Sequence, residues 1–176
     1  MSAVAVVLLG ASAAVAGATV GKHGMGVPAC TGANLSGTFV VRPDSAGAGN
    51  ISYKLLLKNR SATTCFVSGI PGLRLLDKTQ KKLPTHVTPS HPGAGTAVKV
   101  TLAPGKYASL TTRFSPDVPG TGEPTSKQCE PTAYTLKVSP AGGGSLLAPI
   151  RPPTPVCEHG SLFTSVLVAG KTPPLT

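Results

Sequence analysis

Tryptophan is absent from this chain, and the remaining aromatic side chains are three Tyr and four Phe among 176 residues. That scarcity excludes a core built on large aromatic plates and a surface that stacks successive bases. Acidic side chains are nearly as rare: six Asp and Glu stand against 16 Lys and Arg, for a formal net charge of +10. The six, Asp44, Asp77, Asp117, Glu123, Glu130 and Glu158, are scattered singly, so no close pair in the sequence suggests glycoside chemistry. No G-x-S-x-G elbow marks a nucleophile. Gly142 to Gly144 does not follow a strand and open a helix, so it reads as a flexible loop and not a phosphate cradle. No window carries a sustained 3.6-residue period with a cap. With no assembled set of catalytic roles, the chain is not expected to be an enzyme.

What is abundant is glycine and proline, 21 and 18 residues, set between short apolar runs. Proline fixes φ and glycine accepts positive φ, so this layout is that of strands joined by many turns. Period-2 alternation picks out the strands: Thr38 to Arg42, Ile51 to Leu57, Leu73 to Leu76, Val98 to Leu102, Ala108 to Phe114, Tyr134 to Val138, and Leu162 to Val168. Ile51, Tyr53, Leu55 and Leu57 alternate with Ser52, Lys54 and Lys58, the clearest one-sided strand. Tyr134, Leu136 and Val138 read as one inward face, as do Ala108, Leu110, Thr112 and Phe114. The spacing predicts an all-β domain over residues 28–170, a two-sheet antiparallel sandwich, with a tail at 171–176. Long loops fall at Pro43 to Asn50, Lys78 to Ala97, Ser115 to Gln128 and Ser139 to Val156, where a rigid sandwich commonly presents binding residues.

The N-terminus has no charge before Lys22, and residues 3–18 are small and apolar. Ala14-Val15-Ala16 and Ala16-Gly17-Ala18 both fit the small-residue rule for a leader peptidase, so residues 1–18 are expected to be a signal peptide and 19–27 a short linker. The run is too short for a stable membrane span, and none is expected in the mature protein. Four cysteines, Cys30, Cys65, Cys129 and Cys157, form an even set with no C-x-x-C pair, which points to disulfides in an exported domain and away from zinc. Of three possible pairings, Cys30–Cys65 with Cys129–Cys157 is favoured because it staples neighbouring segments; Cys30–Cys157 with Cys65–Cys129 stays open. Each bridge is worth roughly 3–4 kcal/mol on the chain-entropy model.

The positive charge favours an anionic partner, and its scatter argues against specific nucleic-acid recognition. Four histidines, His23, His86, His91 and His159, are the remaining candidates for chemistry. A copper site would use imidazole and thioether groups, but the chain has two Met including Met1, and no metal or cofactor site is expected. Cleavage before Gly21 would expose a Gly-Lys-His terminus able to chelate copper; cleavage after Ala16 or Ala18 would not. All three asparagines, Asn34, Asn50 and Asn59, stand in N-x-S sequons, read here as turn chemistry at strand ends.

Several segments stand in a set order along the chain: Cys30-Thr31 with Asn34-Leu35-Ser36, Leu57-Lys58-Asn59 leading to Cys65, Gly69-Ile70-Pro71-Gly72, Leu102-Ala103-Pro104-Gly105, then Cys129 and Cys157. Over about residues 28–170 this set resembles an actinobacterial secreted and lipoprotein-type family that shares a four-cysteine domain of unknown function. The resemblance implies an extracytoplasmic, immunoglobulin-like β-sandwich at the cell envelope, and it carries over no catalytic residue. Many relatives have a lipobox cysteine and a Ser/Thr/Pro-rich tether; this chain shows neither, which suggests a released or loosely wall-associated protein. The expected function is a non-enzymatic module that binds an envelope protein or an anionic wall polymer. The alternatives are an extracytoplasmic copper-binding protein and a hydrolase with an unconventional site.

Overall fold

The computed structural model of the chain describes residues 26–91 and 98–173. The expected leader and His23 lie outside those residues. Eleven strands are found among them: β1 Leu35–Val41, β2 Ile51–Asn59, β3 Cys65–Val67, β4 Gly72–Leu76, β5 His86–Pro89, β6 Val100–Leu102, β7 Tyr107–Phe114, β8 Ala133–Ser139, β9 Leu146–Thr154, β10 Ser161–Thr164 and β11 Val168–Ala169. Helix is limited to a 3-10 turn at Gly32–Asn34 and a single turn at Cys157–Gly160. The fold is all-β.

The strand order is β4-β8-β9-β1-β2-β7-β10-β5, with β11 continuing beside β10 on β7 and β3-β6 forming a separate pair. The hinge of this arrangement is β9. Its first residues pair with β8, up to Pro149 opposite Thr135, its middle pairs with β1 through Ile150–Phe39 and Arg151–Val40, and Thr154 at its end returns to β8 opposite Ala133. One layer is therefore β4-β8-β9 and the other β9-β1-β2-β7-β10-β5, as an immunoglobulin-like sandwich requires. The pairings are antiparallel except β1–β9 and β10–β5, which run parallel.

The segment expected as the loop Ser139 to Val156 contains β9, and the prolines explain why it escaped notice. Pro149, Pro152 and Pro153 lack N–H groups and argue against a central strand. They are tolerated because β9 changes partner there, so ladder bonds are interrupted at those positions anyway. Three other expectations fail locally. Between Ala133 and Thr135 the β8–β9 register shifts, which leaves Tyr134 exposed while Ala133, Leu136 and Val138 face inward. Val98 is exposed, and β6 begins only at Val100. The last strand is broken in two because Ser165 leaves the regular ladder: its hydroxyl accepts the Thr111 N–H at 3.0 Å.

Inward side chains of both layers meet in one core, with Phe39, Leu55, Leu57 and Leu110 on one side and Leu75, Leu136, Val138 and Ala148 on the other. Three of the seven aromatics lie there. Phe39, Tyr53 and Phe114 lie in series with ring centroids 5.1 Å apart at each contact, and the Tyr53 hydroxyl donates to the Pro152 carbonyl at 2.9 Å. Burial pushes the Tyr53 phenol up from its usual value. Disulfides join Cys30 to Cys65 and Cys129 to Cys157, with Cα separations of 5.0 and 5.5 Å. Cys30 sits on the segment that bridges to β3, and Gly142 packs so closely over it that an added Cβ would lie 2.4 Å from the Cys30 carbonyl oxygen. The glycine run 142–144 is thus a packed loop, its Gly143 carbonyl accepting the Gly32 N–H at 2.9 Å.

The sequon asparagines act locally. Asn59 is fully buried at the end of β2; its amide donates to the Thr63 and Leu102 carbonyls, both at 2.8 Å, and its oxygen accepts from the Ser61 N–H and hydroxyl. Asn34 accepts from the Thr31 N–H and hydroxyl, and Asn50 donates to the Ala48 carbonyl.

Candidate functional site

Acidic residues that the sequence scatters are partly gathered by the fold. The Cys129–Cys157 bridge brings the 120–130 loop against the turn at 157–160, so that Glu123, Glu130 and His159 offer ligand-type atoms all within 4.8 Å of one another. This corrects the reading of the acids as isolated. Glu158 and His159 adopt left-handed φ of 54° and 55°, and Gly160 follows at 76°. Gly160 cannot be replaced simply, since a Cβ there would lie 2.0 Å from the Pro84 carbonyl oxygen. Successive N–H groups of such a turn converge to form an anion-binding concavity.

The anion in it is Glu123. Its carboxylate is almost wholly buried and accepts the N–H groups of Gly120 at 2.6 Å, Glu158 at 2.9 Å and His159. Burial works to raise its pKa, but these donors and the nearby His159 outweigh it and hold the carboxyl below its ordinary value. Glu130 shows the opposite result: burial and the neighbouring Glu123 charge hold its carboxyl above the ordinary value. The His159 ring places Nδ1 3.6 Å from Glu123 and 3.9 Å from Glu130, while Nε2 lies 3.0 Å from the Thr121 carbonyl and so serves as its donor.

As a metal centre this cluster is poorly furnished. The Glu123 oxygens are already occupied by three N–H donors, and the Cys129 and Cys157 sulfurs are bonded to each other, which leaves His159 and Glu130 against the three or four protein ligands usual for zinc. His86 starts β5 and is exposed; His91 is exposed beside the Ser90 hydroxyl, 3.1 Å away. Neither joins His159 in the cluster.

Basic residues are distributed differently. All six acidic residues lie outside the strands, whereas every charged residue on a strand is a cation: Lys54 and Lys58 on β2, Arg74 on β4, Arg113 on β7, Lys137 on β8 and Arg151 on β9. None of the six has a carboxylate within ion-pair distance among the described residues. Arg74 and Lys137 even stand directly opposite each other across β4–β8, an arrangement of like charges that weakens a sheet.

On the outer face of β1-β2-β7, Ser36, Lys58 and Tyr107 form one row across three strands, and Thr38, Leu56 and Ser109 the next. Here an open groove of about 310 Å³ is lined by Ser36, Thr38, Leu56, Lys58, Tyr107 and Lys171. Lys58 Nζ lies 5.7 Å and Lys171 Nζ 4.5 Å from the Tyr107 ring centre. The polar alternation of β2 announces Lys54 and Lys58, but Tyr107 and Lys171 carry no such signal. Lys171 falls in the segment expected to be a tail, yet the chain remains packed through Pro173, which is buried and whose carbonyl accepts from Arg42 at 3.0 Å.

No helix among the described residues is long and apolar enough to cross a membrane. No curated protein and no solved structure matches the chain. Residues 30–165, which include all four cysteines and the Glu123–His159 cluster, match the family described as a domain of unknown function, DUF4232, and the chain belongs to that family.

Proposed function

We propose that the chain is an extracytoplasmic, non-enzymatic binding module that docks on an anionic polymer of the cell envelope through its strand faces. The observation that carries this reading is the one sign of the strand charges: the six charged residues on strands are cations with no carboxylate partner among the described residues, while all six acids sit in loops beside the remaining cations. An ordinary solvated surface mixes both signs, so a face of one sign favours a partner of the other. The paired cysteines, the expected leader and the resemblance to envelope-associated proteins support an oxidising compartment. An actinobacterial source and retention at the wall are part of the same proposal. The non-enzymatic reading is supported by Glu123, whose acceptor capacity is spent on backbone N–H groups.

The test is retention of the folded, disulfide-intact chain on a matrix bearing an anionic polymer. Exposed charges are screened over about 8–10 Å at physiological salt, so retention at low salt is expected to fall steeply as salt rises. Absence of retention at low salt, or retention indifferent to salt, overturns the reading.

A further inference from the structure

We infer that the groove over Lys58, Tyr107 and Lys171 is the contact site for one class of partner, a polysaccharide or polyol chain bearing phosphate or carboxylate groups. The inference rests on the proposed polyanion reading and adds the site and the class of ligand. Two ammonium groups are brought to one aromatic ring, and among the described residues no carboxylate lies within ion-pair distance of either to offset their repulsion. The electron-rich ring face provides that offset without neutralising either charge, so both remain available to an external anion. Tyr107 is a positioning residue: it holds Lys171, which arrives from beyond β11, over the row that contains Lys58.

The rest of the groove suits a hydroxylated chain. The Ser36 and Thr38 hydroxyls have no hydrogen-bond partner among the described residues, so they are free to bond sugar or polyol oxygens. Leu56 supplies a small apolar patch between them and Tyr107. Lys54 continues the line of charge along β2, four residues from Lys58 and about 13 Å away at strand spacing. A polymer lying along β2 thus meets ammonium groups in succession. A membrane surface is disfavoured because the large exposed hydrophobics, Val27, Val98, Val118, Tyr134 and Leu147, all lie outside this groove. A nucleic acid is disfavoured because Lys171 occupies a face of Tyr107, the one ring in the groove on which a base could stack.

The experiment titrates the folded chain with poly(glycerol phosphate), polygalacturonate, neutral dextran and duplex DNA, using four variants. Lys58→Ala/Lys171→Ala removes the groove charges. Arg74→Ala/Lys137→Ala removes the same net charge from the other layer. Tyr107→Phe keeps the ring, and Tyr107→Ala deletes it.

The expected result is binding of one or both anionic polymers but not dextran, weakened about tenfold by the groove double variant and at most about twofold by the control. Tyr107→Phe retains affinity, and Tyr107→Ala loses several-fold. Which polymer binds identifies phosphate or carboxylate as the preferred group. Equal weakening by both double variants overturns the site and leaves the broader polyanion reading standing. Loss on Arg74→Ala/Lys137→Ala alone moves the site to the β4–β8 face. Equal binding of dextran, or tighter binding of DNA, overturns the ligand class. Failure of the unaltered chain to bind either anionic polymer at low salt overturns the polyanion reading itself.

Discussion

At the rim tied by Cys129–Cys157, a buried carboxylate takes three backbone N–H groups from a left-handed turn; on the outer face of β2, Lys54 and Lys58 meet no carboxylate. Both regions depart from ordinary surface electrostatics, in opposite directions. Glu123 is an internal anion, and removing it leaves three part-buried N–H donors unpaired, which is costly to the fold. The strand cations are external charges, and removing one leaves nothing unpaired. Energy invested in the rim therefore holds local structure together. The strand cations are expected to contribute little to stability, and their grouping without acidic partners among the described residues is what the proposed external partner rests on.

The largest expected effect comes from cutting the rim. In Cys129→Ser/Cys157→Ser the 28-residue separation is freed, and the chain-entropy relation gives a loss of about 3.5 kcal/mol. Because Glu123 and the 157–160 turn are held on opposite sides of that bridge, the variant is also expected to expose the Gly120, Glu158 and His159 amides. Denaturant unfolding measures the stability, and hydrogen exchange at those amides measures the local opening. An unchanged exchange pattern would show that the carboxylate holds the turn without the bridge.

A smaller change separates the carboxylate from the bridge. Glu123→Gln keeps shape but removes the charge, and its amide group offers N–H where acceptors are needed, so a loss of about 1.5–3 kcal/mol is expected near neutral pH. The sign of the pH dependence follows from the two opposed glutamates. Glu123 has a folded pKa below its ordinary value of 4.5, so its contribution is complete above 4.5 and is lost as pH falls through the lower folded value. Glu130 has a folded pKa above 4.5; its ionised form is disfavoured in the fold, and that cost disappears as pH falls through the raised value. Acid titration of stability is thus expected to show a small gain followed by a loss. Glu130→Gln should abolish the gain and Glu123→Gln the loss; the same curve for all three proteins would break the assignment.

The sequence disclosed the two kinds of region unevenly. Strand β2 was legible because Tyr53, Leu55 and Leu57 alternate with Lys54 and Lys58, and burial on one face enforces that period. Strand β9 was hidden because its three prolines signal a loop, and only its changes of partner, from β8 to β1 beside Pro149 and back to β8 at Thr154 after Pro152 and Pro153, make them tolerable. The rim was hidden for another reason. Glu123 lies 36 residues from His159, and what joins them is a disulfide and a left-handed turn, neither of which leaves a local spacing to detect. The Tyr107 groove was half visible: its β2 lysine belongs to an alternating strand, whereas Lys171 arrives by tertiary packing. Asn59 was readable as turn chemistry, but not as the buried link from β2 to Leu102.

The smallest expected effect sharpens the comparison from the basic side. Lys54→Ala and Arg151→Ala each remove a strand cation that has no acidic partner among the described residues, so no buried group is orphaned. Surface changes of that kind usually fall within about 0.5 kcal/mol. A small gain is the expected direction, because each substitution lowers the self-repulsion of a chain with a net charge of +10. The gain should shrink as salt screens the repulsion. Chemical denaturation in urea, which adds no ions, at low and at physiological salt gives both numbers. A loss of more than about 1 kcal/mol in either variant would mean that the cation is engaged in holding the fold, as Glu123 is. The contrast between internal anion and external cation would then fail at that position. A salt-sensitive gain at both positions, beside a salt-insensitive loss for Glu123→Gln, would establish that Glu123 is held inward as part of the fold while these two strand cations are presented outward.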